Sequence, residues 1–107
     1  MRTLKFIVDG QILRPDPSCD FSGLVPGCND ELKAEFSFSK EWQNTAKVVG
    51  FYSRMGSEYP PQPLKDGKTC MIPVEATQHR VFKLRVFRKT KSGTIRTNRT
   101  TVEQKGG

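Results

Sequence analysis

The 107-residue sequence contains one histidine, no CxxC pair, no glycine-rich phosphate loop, and no apolar run near the roughly eighteen residues of a membrane-spanning helix. Each lack removes a class of function. General acid–base catalysis needs a proton-transfer group poised near neutral pKa, and His79 stands apart from any Ser, Cys or carboxylate in a recognisable motif. It reads as an exposed loop residue. Without a phosphate loop or a His/carboxylate cluster, neither nucleotide chemistry nor metal-assisted hydrolysis has a visible basis. The opening MRTLKFIVDG turns polar too early for a secretion signal, so a soluble, unprocessed protein without a membrane partner is expected.

Cysteine is scarce and odd in number: Cys19, Cys28 and Cys70. A Cys19–Cys28 bridge requires an oxidising compartment that the sequence does not indicate. Zinc held by all three with His79 would have eight residues between Cys19 and Cys28 and eight between Cys70 and His79, without the short-looped ligand pairs of structural zinc sites. Free, mostly buried thiols are the expectation. Asp16, Asp20, Asp30 and Glu31 gather around one loop, but without the alternating ligand pattern of a calcium site, and read as solvated. No metal, cofactor or small-molecule substrate is expected.

What the chain does have is period-two alternation. A chain of this length buries about two-thirds of its unfolded surface as one domain, taken here as residues 1–103 with 104–107 a frayed tail. Leu4, Phe6 and Val8 alternate with Lys5, Ile7 and Asp9, and Asp9-Gly10 predicts a hairpin turn into Gln11–Leu13. Pro15 and Pro17 make 14–20 a surface crossing. Leu32, Ala34, Phe36 and Phe38 mark the clearest strand, followed by one turn from Ser39, a candidate N-cap, that tucks in Trp42. Residues 46–53 return as a strand buried on both faces. The expected core around this brace is Phe36, Phe38, Trp42, Val48 and Phe51, joined by Phe82, Leu84 and Val86 from the strand 81–89.

Between these strands, residues 54–67 hold three prolines and two glycines and form the longest irregular stretch, a length at which loops are often functional. A short strand over 69–72 and a patternless connection over 75–79 follow. After the 81–89 strand, Lys91-Ser92-Gly93 turns the chain into a single returning strand over 94–103, rich in threonine. The sum is seven or eight short strands with regularly spaced turns and no helix beyond one turn. That is the pattern of an all-β antiparallel sandwich, preferred to a small closed barrel, and Trp42 beside paired strands suits an immunoglobulin-like core.

Charge is one-sided. From Arg80 onward there are nine basic residues and one acid, whereas residues 1–79 hold nine basic and ten acidic. A field of this kind favours anionic partners. The candidate partner-binding residues are Lys83, Arg85, Arg88, Lys89, Lys91, Arg96 and Arg99 on the basic hairpin, with Arg54 and Tyr59 from the irregular stretch.

The segments LKFIVDGQIL, FSFSKEW with KVVGFY, KTCMIPVEA and GTIRTNRTTV, which together span nearly the whole chain, resemble a small immunoglobulin-like domain of phage and prophage structural proteins. Domains of that kind open baseplate upper proteins and related head or tail appendages. The resemblance implies a non-enzymatic virion component, made in the bacterial cytoplasm, that assembles with other virion proteins or with copies of itself. Two other readings stand beside it: a nucleic-acid binder with Tyr52, Phe87 or Tyr59 as exposed stacking platforms, and a small phage-encoded inhibitor of a host protein.

Overall fold

Alternation builds the framework. The computed structural model describes residues 2–27 and 31–105, and among these nine strands, one four-residue helix and one 3-10 turn succeed one another. β1 (Arg2–Asp9) buries Leu4, Phe6 and Val8 and turns at Gly10, whose φ of 62° suits glycine, into β2 (Ile12–Pro15). Arg14 and Pro15, expected in a surface crossing, instead extend β2, where a proline is tolerated because β2 is an edge. β3 (Leu32–Phe38) buries Leu32, Ala34 and Phe36, and β6 (Thr69–Met71) completes a sheet of order β2-β1-β3-β6.

One pairing in this sheet departs from the antiparallel expectation. β1 and β3 run parallel, in register from Arg2 opposite Leu32 to Val8 opposite Phe38. Parallel neighbours need a long crossover, and the stretch between β2 and β3 provides it. Its apolar residues are used without forming a strand: Leu24 is buried, and the Phe21 ring meets Phe6 edge-on at 5.6 Å.

The second sheet is antiparallel throughout. β4 (Lys47–Ser53) lies between β5 (Gln62–Pro63) and β7 (Val81–Thr90), and the far side of β7 carries β8 (Gly93–Arg96) at one end and β9 (Thr100–Glu103) at the other. The inner faces of the two sheets form one core, in which Leu4, Phe6 and Phe36 meet Val49, Phe51, Phe82, Leu84, Val86 and Val102. The chain is an all-β sandwich. Among the described residues no helix is long and apolar enough to cross a membrane; the helix α1 (Val74–Thr77) is a single turn in the stretch expected to lack pattern.

Val48 does not join the core as expected. With Val49 and Phe51 committed to the interior, the pleat turns Val48 outward, and it is 37% exposed. Phe38 is partly buried and packs against the core from its edge. The expected single strand over 94–103 is broken. Buried Thr97 accepts the Val86 N–H through Oγ1 at 3.1 Å, and the Asn98 amide then pairs with Leu13 across the sandwich. Asn98 Oδ1 accepts the Leu13 N–H at 2.7 Å and its Nδ2 donates to the Leu13 carbonyl at 3.0 Å, so one side chain serves as strand partner to β2. Gln104, expected in a frayed tail over 104–107, is instead buried, and its amide donates to the carbonyls of Thr77 and His79 at 2.9 and 2.7 Å; residues 106–107 lie outside the described residues.

Trp42 closes one end of the sandwich. The 3-10 turn Lys40–Trp42 follows Ser39, which makes no capping bond; its hydroxyl bonds Glu41 and accepts the Gly10 N–H at 2.9 Å. The fully buried indole donates to the Gly10 carbonyl at 2.7 Å and lies 5.6 Å from the Phe38 ring. From the opposite sheet, the Arg88 guanidinium sits 5.3 Å from it. The tryptophan therefore touches both sheets.

Candidate docking face

The outer face of the second sheet follows directly from register. Residues opposite one another on antiparallel strands share a face, and β4 sets Val48 against Phe87, Gly50 against Arg85 and Tyr52 against Lys83. Across the other side of β7, Phe87 is opposite Arg96 and Lys83 is opposite Thr101. Because Val49, Phe51, Phe82, Leu84 and Val86 point to the core, these residues point away from it.

Gly50 gives this face its shape. A Cβ there would lie 2.6 Å from Tyr52 Oη and 2.9 Å from Phe87 Cε2, so the missing side chain is what allows Tyr52 to lie down toward Phe87. A glycine within a strand marks such a close approach. Tyr52 is 5% exposed although it stands on an outer face. Arginines cover it: the Arg99 guanidinium lies 4.4 Å and that of Arg85 5.6 Å from its ring, and Arg85 also lies 5.8 Å from Phe87. Arginine stacks on aromatic faces through the ring quadrupole. Arg85 Nε is buried there without a hydrogen-bond partner.

Among the described residues these cations make no ion pair with a carboxylate, and several acids are engaged elsewhere. Among the described residues the ion pairs are Lys5–Glu35 at 4.0 Å, cross-strand neighbours on the first sheet, and Lys105–Glu103 at 3.3 Å. Other acids close their own turns. Asp16 accepts the Ser18 N–H at 2.9 Å, and Asp20 accepts the Ser22 N–H at 2.8 Å. Bonds from Ser18 and Ser22 hold both carboxyls below the ordinary range. Asp66 accepts the Thr69 hydroxyl and the Lys68 and Thr69 amides, which depress its pKa further.

Lys83, Arg85, Lys89 and Arg96 lie on the outer face by register, and Lys91 is exposed in the turn beyond. Arg88, grouped with them by sequence, belongs to the inner row with Lys47 and Ile95, where alternation delivers it to Trp42. Arg54 and Tyr59 lie past the end of β4, in a cleft of about 330 Å³ shared with His79 and Arg80. The Tyr59 and His79 rings are nearly parallel, 8° apart, with centroids at 6.4 Å. Tyr52 is thus no exposed stacking platform. Sequence reasoning missed Gly50 and Asn98; the GFY triplet and a lone asparagine among threonines were the available signals.

Other features carry less chemistry. A cleft of about 690 Å³ opens at the seam between β2 and β9, lined by Pro15, Phe21 and Val102, and its ionisable residues Glu103 and Lys105 pair with each other. Cys19 and Cys70 are free and half-buried, and burial, with the Asp66 charge, pushes the Cys70 thiol up to about 12. It is therefore protonated and unreactive near neutrality. Cys28 and Asp30, which entered the disulfide, zinc and calcium readings, lie outside the described residues. Among the described residues no three His, Cys, Asp or Glu side chains gather as a metal site.

Compared with known proteins, the chain matches no family model, no curated protein and no solved structure.

Proposed function

We propose that the chain is a non-enzymatic docking module: an immunoglobulin-like head, tail or baseplate component of a phage or prophage particle that binds other virion subunits. The observation that carries the docking half is the Tyr52–Arg85–Phe87–Arg99 cluster on the outer face of the second sheet. Tyrosine and arginine are, with tryptophan, enriched at energetically dominant interface positions, and here they sit beside exposed Val48 with no ion pair to a carboxylate among the described residues. The virion half rests on the resemblance of the strand segments to phage structural domains.

Mass spectrometry of purified particles, with lysine cross-linking, tests both halves. The expected result is the chain in the particle, with Lys83 or Lys89 cross-linked to a neighbouring subunit. Particles that lack the chain would overturn the virion reading. The nucleic-acid alternative draws on the same cations, but base stacking needs open aromatic faces, and Arg99 occupies that of Tyr52. Its mark would be retardation of DNA or RNA that falls steeply with salt.

A further inference from the structure

Resting on the docking reading, we propose that Arg85 and Arg99 form a carboxylate-binding pair, and that the partner is a protein surface bearing Asp or Glu side chains next to an apolar residue.

Three observations converge on this. The guanidiniums are held before any partner arrives, because both lie against the Tyr52 ring, and Arg85 also against Phe87. A guanidinium stacked on a ring keeps the N–H groups at its edge free, and a carboxylate meets that edge with two parallel hydrogen bonds. Preorganisation reduces the ordering cost that flexible cations impose on binding.

Arg99 is also positioned from the other sheet. Its neighbour Asn98 is clamped to Leu13 by bonds of 2.7 and 3.0 Å, which fixes the backbone from which Arg99 reaches over Tyr52. Asn98 is therefore a positioning residue for the pair.

The surroundings select a protein over a nucleic acid. Val48 and Phe87 are opposite each other on this face, with Val48 37% exposed, an apolar strip that a phosphate backbone leaves uncovered. Charge is complementary to an acidic partner, since Lys83, Arg85, Arg96 and Arg99 make no ion pair among the described residues. Among the described residues, register places two acids beside this face, Glu58 opposite Tyr52 and Glu103 opposite Val81.

The experiment is fluorescence anisotropy of two labelled probes against the full chain at low and raised salt: a short oligoglutamate peptide and an oligothymidylate of matched charge. We expect the peptide to bind at low salt, and Arg85→Gln and Arg99→Gln each to weaken it about tenfold. Lys33→Gln with Lys40→Gln, which removes two charges from the first sheet and the 3-10 turn, away from this face, should weaken it less than about threefold. Arg99→Lys should behave like Arg99→Gln, because an ammonium offers no planar fork. Thermal unfolding of each variant confirms that the fold persists.

The proposal is overturned by absence of peptide binding, by tighter binding of the oligothymidylate, or by equal losses from the pair and from the Lys33/Lys40 control. These outcomes are separable from the particle test. A chain absent from particles whose peptide binding follows Arg85 and Arg99 sinks only the virion reading, and a particle-borne chain with no such dependence sinks only the carboxylate pair.

Discussion

Arg88 and Arg99 do similar chemistry on opposite sides of one sheet. Arg88 lies 5.3 Å from the Trp42 ring inside the sandwich, and Arg99 lies 4.4 Å from the Tyr52 ring outside it. The inner pair joins two sheets: the indole also donates to Gly10 of the β1–β2 turn, and Arg88 comes from β7. The outer pair joins nothing comparable, since Tyr52 lies over its own strand at Gly50. The same contact closes the core in one place and arms a surface in the other. Alternation along β7 separates Arg88 from Arg85 although both contributed to the same run of basic residues, and Arg99 reaches Tyr52 from the link between β8 and β9.

Variants on the two sides should therefore differ in what they lose. The largest effect is expected from Trp42→Ala, about 3–5 kcal/mol, the range for truncating a buried aromatic residue. It would appear as a lower urea midpoint with the slope unchanged. Asn98→Ala should cost about 1–3 kcal/mol by leaving the Leu13 N–H and carbonyl without their partner, and should also loosen Arg99. Gly50→Ala should cost about 1–3 kcal/mol, because the new Cβ overlaps Tyr52 and Phe87. Displacement of Tyr52 should show as increased quenching of tyrosine fluorescence by a soluble quencher. The smallest effect is at Arg99→Gln, about 0.5–1 kcal/mol, the scale of an exposed cation–aromatic contact.

Much of this architecture was legible in period two. Leu4, Phe6 and Val8, then Leu32, Ala34 and Phe36, then Phe82, Leu84 and Val86 were assigned to the interior from their spacing, and the structure buries all nine. The parallel pairing of β1 with β3 was not legible, because alternation records which face is buried and not which neighbour a strand takes. Val48 misled because Val49 and Val48 are adjacent and equally apolar, and the register alone separates them. The break at 97–99 was hidden because Thr97 and Asn98 bond through side chains to residues distant in sequence, Val86 and Leu13.

The candidate face was legible in its charge and not in its order. Counting bases identified Lys83, Arg85 and Arg99 but could not separate them from Arg88. Nor could it show that Tyr52 lies flat and covered. That arrangement follows from a missing Cβ at Gly50 and from an asparagine that anchors the neighbouring backbone, features whose effect appears only once the strands are aligned.

The central claim, that one arginine–aromatic contact serves the fold and the other serves docking, is tested most directly by measuring urea stability and oligoglutamate affinity for Arg88→Gln and Arg99→Gln side by side. The account predicts that Arg88→Gln loses about 2 kcal/mol of stability, as expected for a desolvated cation–aromatic contact, with affinity changed less than about threefold. It predicts that Arg99→Gln keeps most of its stability and loses affinity about tenfold. Equal losses of stability and affinity in the two variants would contradict it.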